Sequence, residues 1–471
     1  MIINPLTVGP IVGHADADHV RLWGRGELEI TSAGKPRRCF GVARIRKNGD
    51  ADYSPARYFK MNPNFDMTGI ALFHDLKADT PYEFQMGYFF AEQELTELDA
   101  ITDIDWRNAD QGRFRTASSD PKATREFIFG SCRYLLRLFG GSWFDDRGDK
   151  TFLSINQQIE KGKKVDKLLM VGDQIYADDL NFLAPDAQLD EFLRRYRDAF
   201  SQPYIRELMS QVPTYMTLDD HEIEDNWPAL ASQRDMMLKY PAAIHSYQVY
   251  QMSHSPLLKH DGKGKLVGTP DCFYYQFSDG CCDFFVTDTR TEREPEVGAD
   301  EGDIIGEQQM LALLDWLGDG SGKAKLIVSA VPFFPDTQKE NEDKWGGFRK
   351  QRDRIIALIR AKKIKRVVFL SGDVHCSMAA ELNIGTADKP LAIYSVISSS
   401  FYWPYPHMKR RHFQLSGHVA SADDRNAYQL GKISEVYSGD NFTRVKVTPK
   451  TLDIKVYERK GELLQKIRFQ F

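Results

Sequence analysis

The sequence predicts an α/β fold of stacked mixed β-sheets flanked by helices, preceded by a separate all-β sandwich. Three observations predict it. The apolar runs 168–171, 212–218 and 367–371 each end in acids or histidines, as strands buried on both faces do when they open onto a ligand-binding edge. Residues 1–120 alternate apolar and polar in short stretches set apart by Gly, Pro and Asn, the pattern of a sandwich. From residue 124 strands are separated by helical stretches, and at 471 residues the chain is too long for one average domain. The expected division is 1–120 for the sandwich and 121–471 for the α/β domain.

Taken in order, residues 20–24, 39–45, 82–88 and 112–116 read as sandwich strands, and 117–122 as a small polar linker. His14, with Asp16 and Asp18 nearby, reads as a solvated turn in preference to a metal site. Residues 126–130 form an apolar strand ending in Ser131-Cys132-Arg133. Helices are expected over 191–209, 236–252, 308–317 and 348–361. Asp279-Gly280 marks a hairpin between 273–277 and 283–287, and 326–329 is a further strand. Strands 391–397, 444–447, 452–456 and 467–471 make the carboxyl end β-rich. The stretch 401–413 mixes aromatic and basic residues. It reads as a proline-stiffened loop packing its rings on the domain, at a position where ligand-facing loops occur.

Composition narrows the function classes. Sixty-two basic residues against 67 acidic give a net charge of -5, so there is no strong electrostatic signal for nucleic acid. Aromatic residues at 12% can fill a large core. No apolar run reaches membrane-spanning length, and the first residues lack a signal-peptide pattern. The expectation is a cytoplasmic protein. Six scattered cysteines, without repeated spacing, argue against a disulfide framework, and most read as small buried hydrophobes.

The strand ends collect Cys132, Asp173, Tyr176, Asp220, His221, Asp373 and His375. Asp173 follows the central strand, where one carboxylate bridges two cations. His375 is two residues after Asp373, so both face one side if that segment is extended. A Cys132 thiolate, a Tyr176 phenolate and His375 suit a Lewis-acidic ion such as Fe(III). Asp220 and Asp373 offer hard oxygen to Ca, Mg or Mn. The inference is a mixed pair of metals sharing Asp173. Neither a Gly-x-Ser-x-Gly elbow nor a Walker phosphate loop occurs.

Five ordered motifs carry a family resemblance: Phe129-Gly130-Ser131-Cys132-Arg133, Val171-Gly172-Asp173-Gln174-Ile175-Tyr176, Leu218-Asp219-Asp220-His221-Glu222-Ile223-Glu224-Asp225-Asn226-Trp227, Asp288-Thr289-Arg290 and Leu370-Ser371-Gly372-Asp373-Val374-His375. They resemble the PhoD-like phosphatases of the metallophosphoesterase superfamily. The resemblance implies a metallophosphoesterase-type α/β sandwich behind an immunoglobulin/fibronectin-like amino-terminal sandwich. It implies a ferric ion on Cys132, Asp173, Tyr176 and His375, and a calcium-type ion near Asp220 and Asp373, with Mg, Mn or Zn able to replace Ca. Two departures stand out. Ser131-Cys132-Arg133 replaces the superfamily's Asp-x-His, and Asp220-His221 replaces its Asn-His.

The expected activity is hydrolysis of a small-molecule phosphoric ester, as a phosphatase or phosphodiesterase, by metal-bound hydroxide at a dinuclear site. His221 is the expected proton donor to the leaving group. Arg133 and Arg290 are the expected clamps on phosphate oxygens, with a structural salt bridge as the competing reading of Arg290. The alternative is a non-catalytic metal-binding or surface-recognition protein.

Overall fold

The computed structural model describes residues 1–100, 103–138, 143–179, 185–261, 266–268, 270–294, 302–339, 343–386 and 388–471. Two antiparallel sheets occupy the amino-terminal part. One pairs Val8–Ala15, Val20–Arg25 and Thr68–Phe73; the other runs Arg57–Lys60, Cys39–Lys47, Pro81–Phe90, Asp110–Arg115. Leu22, Ala43, Phe59, Met86 and Phe114 share the core between them.

Beyond residue 120 two mixed sheets are stacked. The six-stranded sheet has the order Thr214–Thr217, Lys167–Val171, Arg125–Gly130, Asn441–Val447, Thr451–Glu458, Leu463–Gln470. Its first three strands are parallel and the last three antiparallel. The eight-stranded sheet is parallel through Cys282–Val286, Ala324–Ser329, Val367–Ser371 and Ala392–Ile397. Strand alternation decides which core each side chain joins. Phe284, Leu326 and Leu370 face the other sheet, and the Phe127 and Phe284 rings meet at 5.6 Å. Phe285, Ile327 and Phe369 point the opposite way, onto Met310 and Leu313 of Glu307–Leu317 and Ile355 and Ile359 of Arg349–Lys362. Both faces of these strands are therefore buried, as the continuous apolar runs require.

The expected helix 191–209 is two helices, Leu189–Phe200 and Pro203–Met209. The break falls at Gln202, which is extended (ψ 137°) because a residue before proline is driven out of the helical region. The stretch 236–252 stays continuous but is π-helical at both ends, Asp235–Lys239 and Gln248–Met252, around Tyr240–Tyr247. The cysteines are all unpaired. Among the described residues no helix is long and apolar enough to cross a membrane.

Candidate metal centre

The parallel strands deliver their carboxyl ends to one edge. Gly130 leads into Cys132, Val171 into Asp173, Thr217 into Asp220 and Ser371 into Asp373. Each turn is sharp. Cys132, Asp173, Asp373 and His375 all adopt left-handed backbone, with φ of 54°, 55°, 66° and 45°. Such non-glycine residues cost on the order of 1 kcal/mol each and collect where function demands them. Gly172 permits a close approach: a Cβ there would lie 2.6 Å from the Cβ of Asp219.

These turns form two groups of donors. The ligating atoms of Cys132, Asp173 and His375 lie within 4.8 Å of one another, and so do those of Asp173, Asp220 and His221. Asp173 belongs to both. Cys132 Sγ donates to Asp173 Oδ2 at 3.2 Å, and the Tyr176 hydroxyl is 3.4 Å from the same oxygen and 3.5 Å from His375 Nε2. The Tyr176 hydroxyl therefore lies beside the first group. The Tyr176 ring lies 4.3 Å from that of His221, centroid to centroid. Among the described residues, buried Asp173 Oδ1 and Asp219 Oδ2 have no hydrogen-bond partner.

Electrostatics at the cluster are those of crowded, buried anions. Burial and the neighbouring Asp219 push the Asp173 carboxyl well above its ordinary range. Burial and Asp173 raise the Cys132 thiol, and burial and Cys132 raise the Tyr176 phenol. Burial opposes ionisation of Asp220, but the Arg290 guanidinium and His221 outweigh it and hold that carboxyl low. His221 shows the converse balance: burial lowers it, and Asp220, Asp173 and Asp178 raise it well above normal. Burial, then the charge of His221, keeps His375 neutral.

Other expected residues are placed differently. Asp373 and His375 do not lie on an extended segment, because both have positive φ. Asp373 stands outside both donor groups, its Oδ2 2.7 Å from Lys344 Nζ. Arg133 is fully buried, donating to the Ala199 carbonyl at 2.7 Å and lying 3.4 Å from Asp149 Oδ1. Arg290 is also fully buried; it donates to Asp219 Oδ1 at 2.6 Å and to both oxygens of Asp343 at 2.6 and 3.1 Å. Its salt-bridge reading is the one the geometry carries, and neither arginine presents a free fork to a phosphate.

Four supporting residues escape a reading of motifs. Glu222 Oε2 accepts from the backbone N–H of Asp173 and Asp219, at 3.0 and 2.8 Å, and Oε1 from that of Gln174 at 2.6 Å. It thereby ties two strand ends together. Asp178 Oδ2 is 2.9 Å from His221 Nδ1. Ser399 Oγ is 3.0 Å from Cys132 Sγ. Trp403 stacks on His375 with centroids 3.9 Å apart, so the aromatic loop does pack on the domain, and it does so against this cluster. The dense run Asp219-Asp220-His221-Glu222 held a signal for Glu222, and the aromatic stretch 401–413 one for Trp403.

The donor set suits cations. Partnerless carboxylate oxygens amid like charges call for positive charge, and the thiol, phenol and imidazole on one side of Asp173 differ in softness from the carboxylate and imidazole on the other.

A family model described as PhoD-like phosphatase matches residues 138–431, a span that holds every candidate site residue except Cys132 and Arg133. Alkaline phosphatase D of Bacillus subtilis (strain 168) is 27% identical over 42% of this chain, and the match spans 36% of that relative's length. A solved structure of PhoD superposes with a TM-score of 0.70 at 17% identity, covering 99% of this chain and 92% of the other. Purple acid phosphatase PPD1 from yellow lupin seeds gives 0.59 at 10% identity, over 98% of this chain and 74% of its own. The likeness in fold thus embraces the stacked mixed sheets, and the family match spans more than half of the chain: this protein belongs to the PhoD-like phosphatase family.

Proposed function

We propose that the protein is a metal-dependent phosphoric ester hydrolase acting on small-molecule substrates at a dinuclear site shared through Asp173. The observation that carries this is the membership of Asp173 in both donor groups. Cys132, Asp173, Tyr176 and His375 would hold Fe(III). Asp173 and Asp220 would hold the second ion, Ca or else Mg, Mn or Zn, with Asp373 recruited from its ion pair with Lys344. When bound, such a pair supplies Lewis acidity toward phosphoryl oxygens and makes a water nucleophilic near neutral pH.

The chain's own residues do the rest. His221, with Nδ1 fixed by Asp178, holds a proton at Nε2 for the leaving oxygen. Trp403, Tyr134 and Tyr176 form an aromatic wall, with Tyr134 in edge contact with both others at 5.2–6.0 Å, which limits water at the reacting centre. Lys344, a buried ammonium between Asp343 and Asp373, is a cation that borders the cluster. The two amino-terminal sheets support reading 1–120 as an immunoglobulin/fibronectin-like sandwich domain and 121–471 as the catalytic one. A non-catalytic role for the metal centre has family membership against it.

Hydrolysis of an aryl phosphate compared with its bis-aryl diester, alongside metal analysis of the same sample, tests the proposal. Turnover of either ester that tracks metal content supports it; a metal-loaded protein inert toward both contradicts it.

A further inference from the structure

Outside the strand-end cluster, the first turn of the amino-terminal part builds a second constellation. Ala15 pairs with Val20, so the chain reverses over residues 16–19 and brings His14 and His19 together, ring centroids 5.1 Å apart and nearly perpendicular. Ligating atoms of His14, Asp16 and His19 all lie within 4.8 Å of one another. His14 is only 6% exposed, walled by Tyr215 and Phe277 of the α/β sheets. The His19 side chain is 26% exposed, so an ion has a way in.

Both imidazoles are oriented through Nδ1. His19 Nδ1 donates to Asp18 Oδ1 at 2.8 Å, an orientation by carboxylate common to metal-bound histidine. His14 Nδ1 is 3.1 Å from the Tyr215 hydroxyl, and in the tautomer that donates to that oxygen its Nε2 lone pair is bare. Neither Nε2 has a hydrogen-bond partner among the described residues, and Asp16 adds a partly exposed carboxylate. Two imidazoles and one carboxylate, with open positions for water, is a donor set for Zn²⁺ and its neighbours in the first transition row.

We infer that His14, Asp16 and His19 form a binding site for a divalent transition metal, of which Zn²⁺ is the type, pinning the first turn of the amino-terminal sheets against Tyr215 of the strand Thr214–Thr217. Burial, then the charges of His19, Arg21 and Lys167, holds the His14 ring at a pKa of about 3, so it is a neutral ligand at neutral pH. Those two cations disfavour an added ion, but both are engaged elsewhere: Lys167 pairs with Asp279, and Arg21 donates to the Leu258 carbonyl at 2.6 Å. A turn of this composition also has a bland explanation, a solvated hairpin end. What sets this one apart is the inward His14, buried against Tyr215 and Phe277 while its ligating atom stays within 4.8 Å of those of Asp16 and His19.

The test uses the full chain with the ions it retains on purification. Dialysis against micromolar Zn²⁺, followed by elemental analysis, should find one more Zn²⁺ per chain in the wild type than in His19→Ala. Asp16→Asn should bind it more weakly, by roughly tenfold or more. Thermal midpoints should rise with Zn²⁺ in the wild type and not in His19→Ala. Asp173→Asn, which alters the other centre, should keep the additional ion. Equal Zn²⁺ content and equal midpoint shifts in wild type and His19→Ala would overturn the site. A response to His19→Ala with none to Asp16→Asn would overturn the three-donor assignment.

Discussion

His221 Nδ1 lies 2.9 Å from Oδ2 of Asp178, a carboxylate with no exposure to solvent. Asp178 Oδ2 also accepts from the Asp225 backbone at 2.9 Å, so it is fixed before it fixes the histidine. The pair orients the His221 ring above Tyr176, with Nε2 4.0 Å from Oδ1 of Asp225. His221→Ala is expected to lower kcat by roughly 10²–10⁴ on an ester with a poor leaving group, the range for losing a proton donor. Asp178→Asn should lower it less and shift the pH profile of kcat. An unchanged kcat in His221→Ala would remove that residue from the chemistry.

Glu222 predicts a structural effect. Its carboxylate takes three backbone N–H groups and the Gln251 side chain, the last at 3.1 Å. Burial nevertheless raises its pKa to about 7. Glu222→Gln turns one acceptor into a donor facing N–H groups. A buried mismatch of this kind costs about 2–3 kcal/mol, which should appear as a lower thermal midpoint at pH 8 and reduced metal retention. A midpoint equal to wild type would show that the two strand ends hold their places without it.

Acid sensitivity should include a share from His254. Burial lowers its pKa from 6.5 to about 4. The unfolded chain therefore takes up a proton that the folded chain refuses as pH falls from about 6.5 to 4. Folding stability is unaffected by this group above that window and drops within it, by about 3 kcal/mol in all at 1.36 kcal/mol per unit. His14 and His260, lowered to about 3 and about 4, act in the same direction. His254→Gln should lose less of its thermal midpoint between pH 7 and pH 5 than the wild type does. Equal losses would contradict the shift.

The proposed ferric ion makes a prediction about colour. Burial raises both the Cys132 thiol and the Tyr176 phenol, so a strongly Lewis-acidic ion is required to keep either deprotonated at neutral pH. A phenolate on Fe(III) absorbs in the visible, and the concentrated protein should be tinted. Tyr176→Phe should shift or weaken the band, and Cys132→Ser should alter it differently. A colourless, active protein holding only calcium, magnesium or zinc would leave Tyr176 as a packed aromatic.

Much of this arrangement is legible in the order of residues, for an identifiable reason. A buried parallel strand must be apolar throughout, so the first acid after Leu168–Val171 or after Val367–Leu370 marks its carboxyl end. Cys132, Asp173, Asp220 and His375 were readable on that ground. What resisted reading depends on distant chain segments meeting. Trp403 stacks on His375 only because the segment after Ala392–Ile397 turns back over the edge. Arg290 is committed to Asp343, 53 residues on. The assumption that Asp373 and His375 lie on extended backbone failed because left-handed residues there reverse the chain.

The shared carboxylate remains the centre of the account, and metal content measured together with hydrolysis tests it most directly. Wild-type protein and Asp173→Asn would be purified in parallel, analysed for iron, calcium, magnesium, manganese and zinc, and assayed on an aryl phosphate and its diester. The donor geometry predicts two ions at the strand-end cluster of the wild type, loss of occupancy at both positions in Asp173→Asn, and hydrolysis lost with them while circular dichroism is unchanged. Full occupancy of both positions in Asp173→Asn would contradict the bridging role, and full activity with it would contradict the proposed centre.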